Sequence, residues 1–286
     1  MKSGLLHNLG PAVVGASAFG CANVFGKIVF AAGGDVLTLL SFRSVVGLAF
    51  IAVWLWTRQG LGTFSPRERW ISLGLGLLFA ITVYTLFKAI DLMDVPTANL
   101  AYFVYPLITG LAAGLTGLET LGWRGAAAAL VAFAGLALIV GAHPGGVAIA
   151  GVLFAFAAAV SRAAMLLITR ALLATSDARL ITWYSLLSST VVFVVISIVT
   201  QTWHPPQTGV GWAALAGISV ATPIAIMSVF ISANRVGPFR TALVMNLEPL
   251  LATVGSAILL NELIAPVQAL GAAIMLAALV AFQLRR

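Results

Sequence analysis

The sequence predicts an all-α integral membrane protein: ten transmembrane helices forming two inverted five-helix repeats around a central cavity. Three observations predict it. Hydrophobic residues make up 61% of the chain, charged residues 8%, and the mean hydropathy is +1.10; a soluble domain carries about a quarter charged residues. A pattern in the second half repeats one in the first half at a constant offset of 143 residues. Lys and Arg between the apolar runs are confined to alternate gaps.

The offset pairs Pro249 with Pro106, Leu250 with Leu107, Glu262 with Glu119, Leu243 with Leu100, Ala272 with Ala129, Ala277 with Ala134 and Leu279 with Leu136. Upstream, Gly217 answers to Gly74, Ile224 to Ile81, Phe230 to Phe87 and Arg170 to Lys27. The offset is half the chain, so residues 1–143 form one repeat and 144–286 the other. About 20 apolar residues cross a bilayer core, which leaves no room here for a soluble domain.

The first span, 10–31, carries Cys21, Asn23 and Lys27. A single cysteine excludes an intramolecular disulfide and reads as packing. Lys2 and Ala16-Ser17-Ala18 faintly resemble a cleavable leader. The apolar run continues to Ala32, however, and its loss would break the five-plus-five arrangement. Gly33-Gly34-Asp35 turns the chain into the second span, 36–57, which holds Arg43. Thr63 to Arg69, with Pro66, leads into the third, 70–90, where Tyr84 and Lys88 share a helical face at i, i+4. Lys88 also has Asp91 at i+3. The fourth, 96–117, places Asn99, Tyr102 and Pro106 on one face, and the fifth is 123–141.

His143-Pro144-Gly145-Gly146 separates the halves. The sixth span, 147–169, contains Arg162, and the seventh, 180–200, Trp183. After His204-Pro205-Pro206 the eighth, 210–232, holds Pro223 and Met227. The ninth, 239–260, brings Met245, Asn246, Glu248 and Pro249, and the tenth is 266–284. Pro106, Pro223 and Pro249 are expected kinks that could serve as gates. Gly110-xxx-Gly114 and Ala252-xxx-Ser256 suit close helix approach, within one chain or between two.

With the N-terminus in the cytoplasm, the inside loops contain Lys2, Arg58, Arg67, Arg69, Arg124, Arg170, Arg179, Arg235, Arg240, Arg285 and Arg286, and the outside loops no Lys or Arg. This positive-inside bias puts both termini in the cytoplasm and accounts for the formal charge of +7 without nucleic acid. Five spans per half make the second repeat enter the membrane in the opposite sense. That is the plan of secondary transporters, whose substrate sites lie near the midplane between the halves.

An ionisable group inside a span is costly and faces the bundle interior or a wet cavity. Glu248 lies roughly 13 Å deep at 1.5 Å per residue. It is a candidate ligand for a proton or a substrate ammonium; the alternative is a structural ion pair with Arg43 or Arg162. Both arginines stay protonated and need an anion, carbonyls or water; snorkelling or a fixed pair would also accommodate them. The candidate cavity set is Asn23, Arg43, Tyr84, Lys88, Asn99, Tyr102, Arg162, Trp183, Met227, Met245, Asn246 and Glu248, an apolar and aromatic wall with few polar groups. Ordinary helix packing is the competing reading for each.

Gly15-Ala16-Ser17-Ala18 falls one residue short of a membrane serine-protease GxSG. His7, His143 and His204 lie in loops, so no span offers a histidine base. No HExxH, Asp-rich metal motif or phosphate-cradling glycine loop occurs. The expectation is therefore no enzyme, no metal, no cofactor and no nucleic-acid partner, and a small-molecule substrate in a lipid-embedded protein. No ATP motif is present, which leaves substrate or ion gradients as the energy source.

The stretch EPLLATVGSAILLNELIAPVQALGAAIMLAALV and the Arg-containing LSFRSVVGLAF resemble EamA-type proteins of the drug/metabolite transporter superfamily, most closely the YddG-type amino-acid exporters of bacterial inner membranes. The resemblance covers the whole chain. It implies two inverted five-helix repeats that export small metabolites from the cytoplasm by alternating access, with amino acids, aromatic and other neutral ones included, as the expected substrates. Arg43, Pro106, Glu119, Glu248, Pro249 and Glu262 sit at pattern positions. Tyr105 stands where symmetry with Glu248 would put a Glu, and Arg162 is not part of the pattern. A nucleotide-sugar, drug or other-metabolite carrier of the same superfamily is the alternative.

Overall fold

Local capping chemistry places four of the helix starts, those of the second, third, fourth and eighth helices. Asp35 accepts from the backbone N–H groups of Leu37 and Thr38. Ser65 and Glu68 form a reciprocal capping box around Pro66, Asp94 accepts from Thr97 N, and Asp177 from Arg179 N. Each satisfies backbone donors that an open helix end leaves orphaned. At the C-termini, Gln201 and Asn261 adopt left-handed φ of 50° and 55°, the turn that closes a helix onto its last carbonyls.

The computed structural model describes residues 2–57, 63–115, 123–141, 148–173, 175–236, 244–262 and 264–284. Glu119, Arg58, His143, Arg240, Arg285 and Arg286 lie outside the described residues, as do the side chains of Lys2, His7, Arg124, Arg170 and Arg235. In chain order the helices are α1 (Lys2–Ala31), α2 (Val36–Trp56), α3 (Pro66–Leu92), α4 (Val95–Tyr102), α5 (Tyr105–Leu115), α6 (Trp123–Gly141), α7 (Ile149–Leu172), α8 (Ala178–Thr200), α9 (Gly209–Val236), α10 (Leu247–Leu260) and α11 (Pro266–Leu284). No strand occurs among the described residues.

Six of these helices are long and apolar enough to cross a bilayer: α1 from Gly10, α2, α3, and most of α7, α8 and α9. The expected fourth span is not one helix. It turns at Phe103 and Val104 and divides into α4 and α5. Pro106 has no N–H, and its ring crowds the carbonyl one turn back, at Tyr102. The chain turns again at Asn246, and α10 begins at Leu247 with Pro249 in its first turn. Phe103 and Asn246 are themselves one offset apart, so the two proline-bearing segments break at matching points.

The packing pairs elements across the halves. Helix α1 lies against α9 and α10, while α7 lies against α3, α4 and α5. Helix α2 packs on α8 and α9, α3 on α8, and α6 on α11. Glycines permit the closest approaches: a Cβ at Gly76 on α3 would lie 2.3 Å from the Ser185 carbonyl oxygen of α8, and one at Gly135 on α6 would lie 2.7 Å from that of Gly271 on α11.

The distribution of side chains is inverted relative to a water-soluble fold. Val13, Val45, Val53, Leu130, Leu153, Val195 and Ile258 are exposed, whereas Asn23, Ser41, Arg43, Ser44, Thr82, Asn99, Ser189 and Glu248 are buried. Lipid supplies no hydrogen bonds, so polar groups turn inward to find partners. Ser41 meets Ser197 at 2.8 Å between α2 and α8, and Ser185 donates to the Ser72 carbonyl at 2.9 Å. Exposed tryptophans mark both rims: Trp56, Trp70 and Trp123 at the end that carries Arg67, Arg69 and Arg179, and Trp203 and Trp212 at the other. These are interfacial anchors.

Candidate functional site

A cavity of about 400 Å³ lies between α1, α2, α3, α7, α8 and α9, with residues flanking the breaks before α5 and α10 (Tyr102, Tyr105, Met245 and Glu248) on its wall. Its lining includes Asn23, Phe87, Tyr102 and Glu248. It continues toward the arginine-bearing end through Leu166 and Thr169 of α7, Ile181 of α8, Val229 of α9 and Met245. Phe19, Leu75, Phe79, Leu86 and Ile226 give it an apolar wall; Thr82, Thr182, Ser185 and Thr222 add hydroxyls.

Three charged side chains face this space, each from a different helix. Arg43 is 8% exposed, and its guanidinium carbon sits 5.2 Å from the centroid of the Phe87 ring. The ring has room because residue 26 is glycine: a Cβ there would come within 2.3 Å of Phe87 Cε1. Arg162 lies 5.9 Å from the Tyr105 ring centroid, and its Nε is buried with no hydrogen-bond partner. Glu248, in the first turn of α10, accepts a long 3.4 Å hydrogen bond from Asn23 Nδ2. The ion pairs seen among the described residues are Lys88–Asp91 and Arg179–Asp177. Glu248 is joined to neither arginine within ion-pair distance, so the fixed pair that the sequence left open is not formed in this structure.

Asn23 is shared. The same Nδ2 donates to Asn99 Oδ1 at 2.7 Å, and Asn99 Nδ2 donates to the Val95 carbonyl at 3.0 Å. Aromatic rings complete this wall: Tyr102 and Tyr105 lie 5.2 Å apart at 36°, and Phe103 meets both nearly edge-on.

Beyond Asn99 the cavity is capped. Lys27 Nζ donates to the carbonyls of Ile90 at 2.8 Å, Met93 at 2.7 Å and Asp91 at 3.4 Å, tying α1 to the link between α3 and α4. Glu262, between α10 and α11, accepts from Val95 N at 2.9 Å. Burial pushes the Glu262 carboxyl above the usual carboxylate range, and the Asp94 charge adds to this; the Val95 N–H and Lys27 act in the opposite direction.

Of the candidates read from sequence, Asn23, Arg43, Tyr102, Arg162, Met245 and Glu248 line the cavity. Asn99 stands behind Asn23. Lys88 is half-buried and paired with Asp91 at 2.7 Å, while Tyr84 packs against the hydrophobic core. Trp183, Met227 and Asn246 lie off the lining, although Thr182, Ile226 and Met245 beside them are on it. Pro106 is the second residue of α5, Pro223 lies inside α9, and Pro249 is in the first turn of α10. Sequence reading missed Phe87 and Tyr105 as arginine partners. Tyr105 was detectable as the residue opposite Glu248 in the repeat; Phe87 stood out only as the repeat partner of Phe230, which says nothing of an arginine contact.

A model of the EamA-like transporter family matches residues 10–141 and again 149–282. A solved structure described only as "Crystal structure of protein" superposes with a TM-score of 0.64 over 95% of this chain and 96% of its own, at 20% identity. That likeness speaks to the fold alone. No curated protein matches the sequence.

Proposed function

This chain belongs to the EamA-like transporter family, two copies of whose pattern span most of it, and on that premise we propose that it exports amino acids from the cytoplasm of a prokaryotic cell by alternating access. The observation that carries the reading is the coexistence of Arg43, Arg162 and Glu248 on one cavity wall. A free amino acid presents a carboxylate and an ammonium a few ångströms apart. A site with charges of both signs on separate helices complements it, and the apolar and aromatic surroundings strengthen both attractions by excluding water.

The cavity runs from the residues flanking the breaks before α5 and α10 toward the arginine-bearing end, and the Lys27 and Glu262 contacts cap the other. With the arginine-bearing end in the cytoplasm, this is an inward-facing state ready to load substrate. Export requires those contacts to open while the halves close over Leu75, Ile181 and Val229. The inverted relation between 1–143 and 144–286 supplies the second state, in which the halves exchange roles. Breaks before α5 and α10 at matching points favour this, because a discontinuous helix can pivot where a continuous one cannot.

Purified protein in proteoliposomes, loaded with one unlabelled compound and presented with the same compound labelled outside, tests the reading. A panel of amino acids, drugs and nucleotide sugars should show counterflow for amino acids. Counterflow confined to nucleotide sugars or to drugs overturns it.

A further inference from the structure

We propose that the preferred substrate is an amino acid with an acidic side chain, carrying two carboxylates and one ammonium, and that Arg43 and Arg162 each receive one carboxylate. The inference rests on the transporter reading of the cavity.

Among the described residues, Arg43, Arg162 and Glu248 are the charged ones on the cavity wall, and together they carry one excess positive charge. Among the described residues, neither arginine is matched by an ion pair. Arg43, more than nine-tenths buried, sits on the Phe87 ring and has no hydrogen bond or ion pair among the described residues. Arg162 faces the Tyr105 ring and keeps a buried, unpartnered Nε. A guanidinium offers five N–H donors in a planar fork. A ring stabilises its charge but cannot receive that fork as a carboxylate does.

Glu248 is partly satisfied. Among the described residues its one hydrogen bond, 3.4 Å from Asn23, leaves acceptor sites on both oxygens for an ammonium. A neutral amino acid would match Glu248 and one arginine and strand the other in a low-dielectric site, the costly arrangement. A dicarboxylate without an amine would match both arginines and leave Glu248 facing added negative charge. Two carboxylates and one ammonium match all three side chains. Phe87 and Tyr105 are already engaged by guanidinium groups, which counts against their serving as platforms for an aromatic substrate.

The test is counterflow in proteoliposomes with glutamate, aspartate, alanine, phenylalanine and succinate. Glutamate or aspartate should move fastest. Arg43→Gln and Arg162→Gln should each slow acidic amino acids by about thirtyfold or more, as loss of one partner of a buried charge pair does, while alanine flux falls far less. Melting curves in detergent check folding, and glutamate should raise the wild-type midpoint more than alanine does. Arg43→Lys, which keeps the charge and loses the fork, should fall between wild type and Arg43→Gln. If alanine or phenylalanine exchanges and the acidic pair does not, the inference fails while the exporter reading stands. If no amino acid moves and another class does, both fail. An equal loss for every substrate in a well-folded Arg43→Gln protein removes Arg43 from specificity.

Discussion

Asn23 on α1 and Asn99 on α4, 76 residues apart in sequence, are joined by a buried 2.7 Å hydrogen bond. Through it the acid of the cavity and the cap beyond become one chain of contacts. Glu248 accepts from Asn23, Asn99 holds the Val95 carbonyl, and the Val95 N–H is held by Glu262. The bond also fixes α4, an eight-residue helix too short to be stable alone.

Asn99→Leu is therefore expected to destabilise the protein by about 1–3 kcal/mol, the cost of leaving the Asn23 amide buried with a weaker partner. Thermal unfolding in detergent measures it. The Asn23→Leu/Asn99→Leu double variant should lose less than the sum of the single losses, since both polar groups then disappear together. Strict additivity would show that the two amides do not act as a pair.

Glu262 should give stability a pH dependence of definite sign. Its carboxyl is raised in the folded protein, so the folded state binds a proton more tightly than the unfolded chain does. The associated stability is present below the unfolded carboxylate range, near pH 4, and is lost as pH rises through the higher folded value. Melting temperatures across this window should fall more for wild type than for Glu262→Gln. Parallel curves would mean that burial does not perturb this group.

Gly76→Val should cost on the order of 1–3 kcal/mol by overpacking, because the added Cβ would lie 2.3 Å from the Ser185 carbonyl oxygen, a backbone atom that cannot swing away. Gly74→Ala, two residues earlier on the same helix, meets nothing within 4 Å. It should be neutral or slightly stabilising, since alanine favours helix over glycine by about 1 kcal/mol. Comparing their melting points tests the α3–α8 contact directly.

Orientation is open to labelling. In a Cys21→Ser background, needed because Cys21 is exposed on α1, Pro205→Cys should react with a membrane-impermeant thiol reagent added outside intact cells. Arg67→Cys should react only after the cells are opened. The reverse pattern would invert the assignment of the arginine-bearing end to the cytoplasm.

Transport is expected to run down the substrate gradient without proton coupling. Glu248 accepts a long hydrogen bond from Asn23 and shares its wall with two arginines, an arrangement in which it serves as the site for a substrate ammonium. Wild-type flux should be indifferent to an imposed pH gradient, and Glu248→Gln should exchange more slowly under all gradients. Flux that follows the gradient in wild type and ignores it in Glu248→Gln would establish coupling through this residue.

The sequence by itself determined the solvent and the duplication. Eight per cent charge in a chain with mean hydropathy +1.10 leaves no surface fit for water, and the 143-residue offset is independent of any packing. It also marked the turns: Asp35, Pro66 and Asp94 start helices where polar and proline residues interrupt the apolar runs. Tertiary structure alone decided which polar groups meet. Successive residues on a helix point about 100° apart, so Thr182 lines the cavity and Trp183 does not, and the rotation that selects between them comes from neighbouring helices. In a lipid-embedded bundle both the core face and the outer face are apolar, so the hydrophobic pattern fixes that rotation only weakly. The pairing of Arg43 with Phe87 and of Arg162 with Tyr105, rather than with Glu248, was settled by where those helices pack, since Coulomb attraction acts on distances that the linear sequence does not contain.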